Sequence, residues 1–188
     1  MVEVTEYQFR WPQEFKVLAD GLRSALGLRA LRIDHIGSTS VPGLVAKDII
    51  DIQVTVAELS DEIVKRIESI GHVHRPHVDS DHLPPDMEAD PAQWRKLYFR
   101  EADGHREVHI HVRVDGRLNQ RYPLLFRDYL RQHPPAAAAY GEFKRRLGSV
   151  VEEGAVYADT KDPVCDLIII AAEVWSSRTG WAPGPSDA

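Results

Sequence analysis

A glycine followed by hydroxyl residues ends the first candidate strand of this chain. Gly37, Ser38 and Thr39 come directly after the candidate strand 31–36. Glycine lets the backbone approach a phosphate closely, and serine and threonine offer hydroxyl and N–H donors to phosphate oxygens. Short glycine motifs also occur in ordinary turns and helix caps, so these residues predict a turn, with phosphate binding as the alternative.

Asp51 lies inside the second candidate strand, where apolar and polar residues alternate over 49–56. A carboxylate in such an apolar segment needs a partner, because burying its charge alone is costly. A hard divalent cation is one such partner. Asp51 is therefore the candidate catalytic and metal-binding acid.

A candidate β-hairpin carries a second set of polar side chains. Asp103 and Gly104 predict a two-residue turn between the segments 95–101 and 105–114, because both turn positions favour positive φ. Alternation in the second strand would place its charged and imidazole side chains on one face. With this turn, the predicted cross-strand pairs are Arg100–Glu107, Tyr98–His109 and Lys96–His111. A solvated sheet face is the alternative, but two imidazoles beside a tyrosine favour a site.

The nearby histidines make Zn²⁺ and Mn²⁺ candidate metals beside Mg²⁺, because imidazole favours those two ions over Mg²⁺. His35 lies two residues before the glycine turn, and we expect it to project toward Asp51. The predicted metal ligands are Asp51, His35, His109 and His111. Glu107 is a candidate further acid unless Arg100 neutralises it. For His35 alone, a hydrogen-bonded structural histidine is the alternative.

A phosphorylated ligand also needs basic side chains near the turn. The candidates are Lys47, Lys96, Arg100, Arg113, Arg127, Lys144 and Lys161. For any single member of this set, a solvated surface position is the alternative interpretation.

The amino-acid sequence around these residues resembles that of a known family. From His35 it reads His-Ile-Gly-Ser-Thr-Ser-Val-Pro-Gly-Leu-Val-Ala-Lys-Asp-Ile-Ile-Asp-Ile, which resembles the signature of the GrpB family. The segments 98–100, 109–112 and 126–131, and Tyr140 with Lys144, resemble later blocks of that family. The resemblance extends over about 12–175. It implies a nucleotidyltransferase-like fold, in which a Gly-Ser pair holds the phosphates of a nucleotide. It also implies an occurrence as a domain appended to dephospho-coenzyme A kinase.

The chain departs from the nucleotidyltransferase pattern at one position. There the resemblance implies two acids spaced by one residue that hold Mg²⁺, but Gln53 follows Asp51 at that spacing. An amide oxygen brings no charge, and two-metal phosphoryl transfer needs negative ligands. We therefore expect one dication and not two. The change Gln53→Asp should create two repelling carboxylates and raise the pKa of one.

The remaining elements place these residues in an α+β fold, with helices packed on a mixed β-sheet. Apolar periodicity and a Ser60 cap predict helices over 12–26 and 61–70, and prolines near their starts predict helices over 123–132, 135–151 and 163–177. An edge strand is expected at 72–78. The segment 79–91, rich in proline and acidic residues, predicts a mobile surface loop. We expect one domain over 1–181 and a disordered tail over 182–188.

The composition excludes several classes of protein. Lys plus Arg total 23 against 29 Asp plus Glu, a net charge of −6 that argues against general nucleic-acid binding. The one cysteine, Cys165, excludes an internal disulfide and fits a reducing cytoplasm. No apolar stretch approaches the roughly 20 residues of a membrane span. Nothing in the sequence indicates an oligomeric state.

The leading interpretation is a protein that binds a nucleotide or another phosphorylated ligand with Mg²⁺, Mn²⁺ or Zn²⁺. In its catalytic form it would transfer a nucleotidyl group to a small molecule or a protein, releasing pyrophosphate. The first alternative is a binding module of nucleotide or coenzyme A metabolism without catalysis. The second is a His/Asp metal-dependent hydrolase, which the identity of the tightly held metal would distinguish.

Overall fold

Five strands form one mixed sheet in the order β1-β2-β5-β4-β3 in the computed structural model, which describes residues 1–188. The strands are β1 (Arg32–Ile36), β2 (Ile50–Val56), β3 (His72–His74), β4 (Leu97–Glu101) and β5 (Val108–Val114). The helices are α1 (Trp11–Leu26), α2 (Asp61–Glu68), α3 (Leu118–Gln132), α4 (Pro134–Val150) and α5 (Gly154–Thr179). Strands β2 and β5 are parallel, and the other pairs are antiparallel. The predicted α+β class with a mixed sheet is confirmed.

One face of the sheet holds the main hydrophobic core. Alternate residues of β2 and β5, such as Ile52 and Ile110, are fully buried against α1 and α2. Helix α1 contributes Phe15 and Leu22 at helical spacing, and Ser60 caps α2 by accepting from the Ile63 N–H at 3.5 Å. Fully burying one such side chain stabilises the fold by roughly 1.5–3 kcal/mol, so this face fixes the strand register.

The opposite face of the sheet is polar but is largely covered by helices. Gln53 is fully buried there, and its Nε2 donates to the Gln120 carbonyl of α3 at 2.8 Å. Gln120 in turn donates to Thr55 Oγ1 at 3.4 Å. Gln53 and Thr55 of β2 therefore face protein groups and not bulk solvent.

The hairpin register differs from the prediction by two residues. Arg100 pairs with His109 and Tyr98 with His111, because residues 102–107 form a longer connection than a two-residue turn. Arg106 is drawn out of the strand by Asp48 Oδ1 at 2.6 Å and by Glu14 Oε2 at 3.0 Å. A shift by two residues keeps every side chain on its predicted face.

Two helices begin earlier than the prolines indicate. Helix α3 starts at Leu118 and α5 at Gly154, so Pro123 and Pro163 lie inside them. Pro163 is on the exposed side of α5, where a carbonyl that loses its N–H partner reaches water. The predicted starts at 123 and 163 are therefore wrong.

The segment 79–91 is not simply a surface loop. Ser80 forms a bridge with Arg95, and the Asp81 N–H donates to the Trp94 carbonyl at 2.9 Å. The Asp81 side chain turns inward to the polar face of the sheet. This acid gives the loop a fixed attachment that its composition does not reveal.

The C-terminal segment 182–188 also differs from its predicted disorder. It lies along β1, where Ser186 Oγ accepts from the Ile33 N–H and Asp187 Oδ2 accepts from the His35 N–H, both at 2.9 Å. The Ala188 N–H donates to the Ile33 carbonyl at 3.1 Å. These contacts cover the outer edge of β1. No helix of the chain is both long enough and apolar enough to cross a membrane.

A candidate metal and phosphate site

Parallel pairing of β2 with β5 brings an acid next to two histidines. Asp51 lies opposite His109, and Gln53 lies opposite His111, on the polar face of the sheet. His109 Nδ1 is 3.2 Å from Asp51 Oδ1. One ligand atom from each of Asp51, His109 and His111 lies within 4.8 Å of the others. This spacing allows a single metal ion to contact more than one of them.

The Asp51–His109 pair leaves one ring nitrogen unused. Burial would raise the pKa of Asp51, but the hydrogen bond and charge of His109, with Lys161 and Lys47, hold that pKa below its usual value. Asp51 is therefore a carboxylate at neutral pH, and its partner nitrogen on His109 is the donor Nδ1. His109 Nε2 is buried with no hydrogen-bond partner. An unsatisfied buried nitrogen is costly in a protein interior, unless a ligand or metal ion completes it.

His111 sits beside the pair but has a different partner. Its Nδ1 is 3.2 Å from Nη2 of Arg113. Burial, followed by the charges of Arg113 and Lys96, lowers the pKa of His111 well below its usual value, so the ring is neutral. Tyr98 closes this side of the pocket, with its ring 5.1 Å from that of His111, and burial raises the pKa of the Tyr98 hydroxyl to about 12.

The glycine turn touches the acid directly. Gly37 has φ 68°, and a Cβ atom built on it would lie 2.2 Å from Asp51 Oδ2. Only glycine fits this close approach. The turn and Asp51 are thus one local structure, although they come from different strands.

Only part of the hydroxyl run is free for a ligand. Ser38 is half-buried, and its hydroxyl makes no hydrogen bond within the protein. Thr39 Oγ1 donates to the Ile49 carbonyl at 3.2 Å and contacts His35 Nε2 at 3.0 Å. The expectation that Thr39 binds phosphate is therefore not supported, whereas Gly37 and Ser38 remain available.

His35 does not face Asp51, so that prediction is wrong. In the antiparallel pairing of β1 and β2 it lies opposite Ile52, on the core face of the sheet. Its ring stacks on Phe15 with centroids 4.7 Å apart and planes 3° from parallel. Burial lowers the pKa of His35 to about 3. His35 is a structural histidine, which was the alternative interpretation, and not a ligand of this site.

The buried His35 should make stability fall with acidity. Its unfolded pKa is about 6.5, so between that value and about 3 the unfolded chain binds a proton that the folded chain does not. This one group should remove about 1.4 kcal/mol of stability per pH unit as the pH falls through that window. The free energy of unfolding, measured by urea denaturation at pH 6, 5 and 4, should fall with acidity less steeply in His35→Gln by about that amount. An equal pH dependence in the two proteins would contradict this assignment.

Gln53 cannot serve as a metal ligand in this arrangement. Its Oε1 accepts from Arg113 Nη1 at 2.8 Å, while its Nε2 is already bonded to α3. Both ends of the amide are used within the protein. An acid at this position would lie against the Arg113 guanidinium, so the repulsion from Asp51 that we expect from the sequence would be offset by this cation.

The lysines near the turn come from three separate segments. Lys47 lies over the Tyr157 ring at 5.5 Å and, with Lys161, acts electrostatically on Asp51. Lys144 is buried and donates to the Val45 carbonyl, and burial, followed by the charge of Lys161, lowers its pKa to about 7. Lys47 and Lys161 form no ion pair, although Lys161 Nζ lies 4.0 Å from Cys165 Sγ.

Two of the predicted basic residues have other partners. Arg100 forms ion pairs with Glu101 at 3.1 Å and with Glu107 at 3.0 Å. Arg100 therefore neutralises Glu107, which was the alternative to a role for Glu107 as a further acid. Arg127 is 3% exposed and donates to the His35 carbonyl at 3.0 Å and to Asp187 at 2.7 Å. Arg127 therefore joins α3 to β1 and the C-terminal segment, and no ligand reaches it.

Asp81 is the residue of this region that sequence reasoning missed. It accepts from Arg113, from Lys96 Nζ at 2.7 Å and from Asn119 Nδ2 at 3.0 Å. Burial would raise the pKa of Asp81, but Arg113 and Lys96 lower it far below the usual range. The signal in the sequence was the pair of cations on the polar face, because buried cations require an acid.

A cleft of about 540 Å³ opens beside the site, at the starts of β2 and β5. Lys47, Asp48 and Glu107 line its inner side. The rest of its lining includes Gly154 and the N-terminal residues Val2, Glu3, Thr5, Gln8 and Arg10. This volume is within the range of small-molecule sites, but neither the glycine turn nor Asp51 lines the cleft.

The chain is similar to a protein family, to a solved structure and to several bacterial proteins. A family model described as GrpB protein matches residues 1–170. The crystal structure of conserved protein GrpB from Enterococcus faecalis has a TM-score of 0.74 and 31% identity, covering 92% of this chain and 99% of that one. UPF0157 protein BH1888 of Halalkalibacterium halodurans is 33% identical over 171 residues, covering 89% of this chain and 80% of that protein.

A longer relative contains a similar segment. A dephospho-CoA kinase of Mycolicibacterium paratuberculosis is 36% identical over 188 residues, which is 92% of this chain and 46% of the kinase. The chain thus spans about half the length of the dephospho-CoA kinases it matches.

Proposed function

This chain belongs to the GrpB family, and we propose that it binds one divalent metal ion together with a phosphorylated ligand at the Asp51 pocket. The ligand class is a nucleotide or a related phosphorylated metabolite. Gly37 and Ser38 would contact its phosphate group, and Asp51 and His109 would hold the metal ion.

The observation that carries this proposal is the contact between the glycine turn and the acid. A phosphate on the turn would lie beside the Asp51 carboxylate, because Gly37 has no room for a side chain next to Asp51 Oδ2. Two anions side by side repel unless a cation lies between them. The turn and the carboxylate together therefore favour a metal-bound phosphate over a phosphate alone.

The residues present fit a divalent ion. Asp51 is ionised, and a dication that replaced the proton on His109 Nδ1 would contact both that nitrogen and Asp51 Oδ1, which lie 3.2 Å apart. One imidazole and one carboxylate suit Mn²⁺ or Zn²⁺ better than Mg²⁺. A bound dication would neutralise charge on the phosphate oxygens.

As a catalyst, this site would transfer a nucleotidyl group. An acceptor hydroxyl would attack the α-phosphorus, and pyrophosphate would leave. Asp51 is the carboxylate at this position, and Gln53, two residues later, is an amide whose two ends are already bonded within the protein. These donors therefore support one dication. Because the Asp51–His109 pair leaves His109 Nε2 free, metal-dependent hydrolysis of a phosphate ester is the second candidate.

Calorimetric titration of the metal-free protein tests the proposal. Mn²⁺ and Zn²⁺ should each bind in one equivalent, and pyrophosphate, ATP or dephospho-coenzyme A should bind more tightly when the metal is present. The change His109→Ala should weaken metal binding by at least about 10–100-fold, because it removes a ligand and the loss of an outer-shell partner alone has an effect of that size. His77→Ala is the matched control, since His77 is exposed and makes no side-chain hydrogen bond. Equal affinities in the two variants, or no metal binding by the wild type, would reject the proposal.

A further inference from the structure

Arg113 lies between His111 and the acid of the 79–91 loop. Its Nη2 is 3.2 Å from His111 Nδ1 and 2.8 Å from Asp81 Oδ1. Its Nε is 2.8 Å from Asp81 Oδ2. Arg113 as a whole is 5% exposed. It therefore contacts the ring and the acid at the same time, inside the protein.

The contact with Arg113 determines which ring nitrogen of His111 carries the proton. A guanidinium has only donors and cannot accept a hydrogen bond. His111 Nδ1 must therefore present its lone pair to Arg113. In a neutral ring the proton then lies on Nε2. His111 Nε2 makes no hydrogen bond with the protein and is not sealed from solvent.

Asp81 keeps Arg113 in this orientation. It receives two parallel hydrogen bonds from the guanidinium, the strong bidentate form of such a pair. Lys96 Nζ and Asn119 Nδ2 hold the two carboxylate oxygens from other directions, at 2.7 and 3.0 Å. Neither Asp81 nor Arg113 can turn without breaking several buried bonds.

We infer that His111 donates a hydrogen bond from Nε2 to an anionic oxygen of the ligand, and that Asp81 is the positioning residue that fixes this form of the ring through Arg113. The inference rests on the proposed function for the identity of the site. It removes His111 from the predicted metal ligands and gives it a role in binding the phosphate.

Ligation of a metal by His111 would require a rearrangement. Through Nδ1 it would displace Arg113. Through Nε2 it would need the proton to move to Nδ1, where it would point at a donor of Arg113. Both changes break the contact that Asp81 supports, whereas donation to a phosphate oxygen leaves every bond in place.

Long-range ¹H–¹⁵N NMR of the imidazole rings tests the tautomer in the protein alone. The wild type should show His111 with a protonated Nε2 and an unprotonated Nδ1. In Asp81→Asn the two tautomers should mix, whereas Asp79→Asn, an exposed acid of the same loop, should leave the wild-type pattern. A proton on Nδ1 in the wild type would overturn the inference, and this result does not depend on whether any ligand binds.

Two substitutions of His111 then separate donation from ligation. Glutamine places an amide N–H donor near the position of His111 Nε2. Asparagine is shorter and keeps only a polar atom near the position of His111 Nδ1, which faces Arg113. With Mn²⁺ present, His111→Gln should bind pyrophosphate within about threefold of the wild type, and His111→Asn at least tenfold more weakly. Mn²⁺ alone should bind both variants like the wild type. Loss of Mn²⁺ in both variants would make His111 a metal ligand and overturn the inference, whereas failure of the wild type to bind Mn²⁺ or pyrophosphate would reject the proposed function instead.

Discussion

Asp81→Asn is expected to lower the free energy of unfolding by about 3–5 kcal/mol, because it leaves the buried Arg113 and Lys96 without their acid. The lost charge cannot be replaced by water, since the side chains of both cations are less than a tenth exposed. Urea denaturation at pH 7 measures the change. The loss should appear as a lower denaturation midpoint with an unchanged slope.

A neighbouring acid provides the control for this prediction. Asp79 lies in the same loop with an exposed side chain that makes no hydrogen bond, so Asp79→Asn should change stability by no more than about 0.5 kcal/mol. Similar effects from the two changes would show that Asp81 is not the anchor of the loop.

Gly37→Ala is expected to affect both stability and metal binding. At φ 68° and ψ −173° a side chain costs about 1–3 kcal/mol in itself, because this backbone region is open essentially only to glycine. The new methyl group would also overlap Asp51 Oδ2 and push the carboxylate from its position. We expect Mn²⁺ affinity to fall by at least about tenfold, which is roughly 1.4 kcal/mol of binding free energy.

Gly43 is the matched control, because it has φ 79° and nothing within 4 Å of a Cβ atom. Gly43→Ala should therefore pay only the backbone cost, about 1–2 kcal/mol, and bind Mn²⁺ like the wild type. Equal Mn²⁺ affinities in Gly37→Ala and Gly43→Ala would show that the turn does not position Asp51. A substitution at Gly37 therefore cannot test phosphate binding alone, since Asp51 moves as well.

Alternation along the strands made part of the site predictable. The pattern of β5 places His109 and His111 on one face, and β2 places Asp51 on the corresponding face. The hairpin register was wrong by two residues, but an even shift exchanges no faces. The polar residues of β2 and β5 were therefore correctly predicted to share one face of the sheet, although the predicted cross-strand pairs between β4 and β5 were wrong.

The residues that were misassigned depend on contacts between distant segments. In β1 the residues Ile33, Asp34, His35 and Ile36 do not alternate cleanly, so the sequence did not indicate that His35 faces the core. Asp81 lies in a loop whose composition is typical of solvent-exposed segments, yet it pairs with Arg113, 32 residues away. Arg127 is an ordinary helical arginine in sequence and is buried only because the C-terminal segment returns to β1. Local patterns carry no information about such pairings.

A crystal grown with MnCl₂ and pyrophosphate, and measured at a wavelength where manganese scatters anomalously, tests the central claim most directly. The account predicts one manganese peak in contact with Asp51 and His109, with a phosphate on Gly37 and Ser38 and an oxygen of that ligand beside His111 Nε2. A map with no manganese at Asp51, or with manganese bound only elsewhere on the protein, would contradict it.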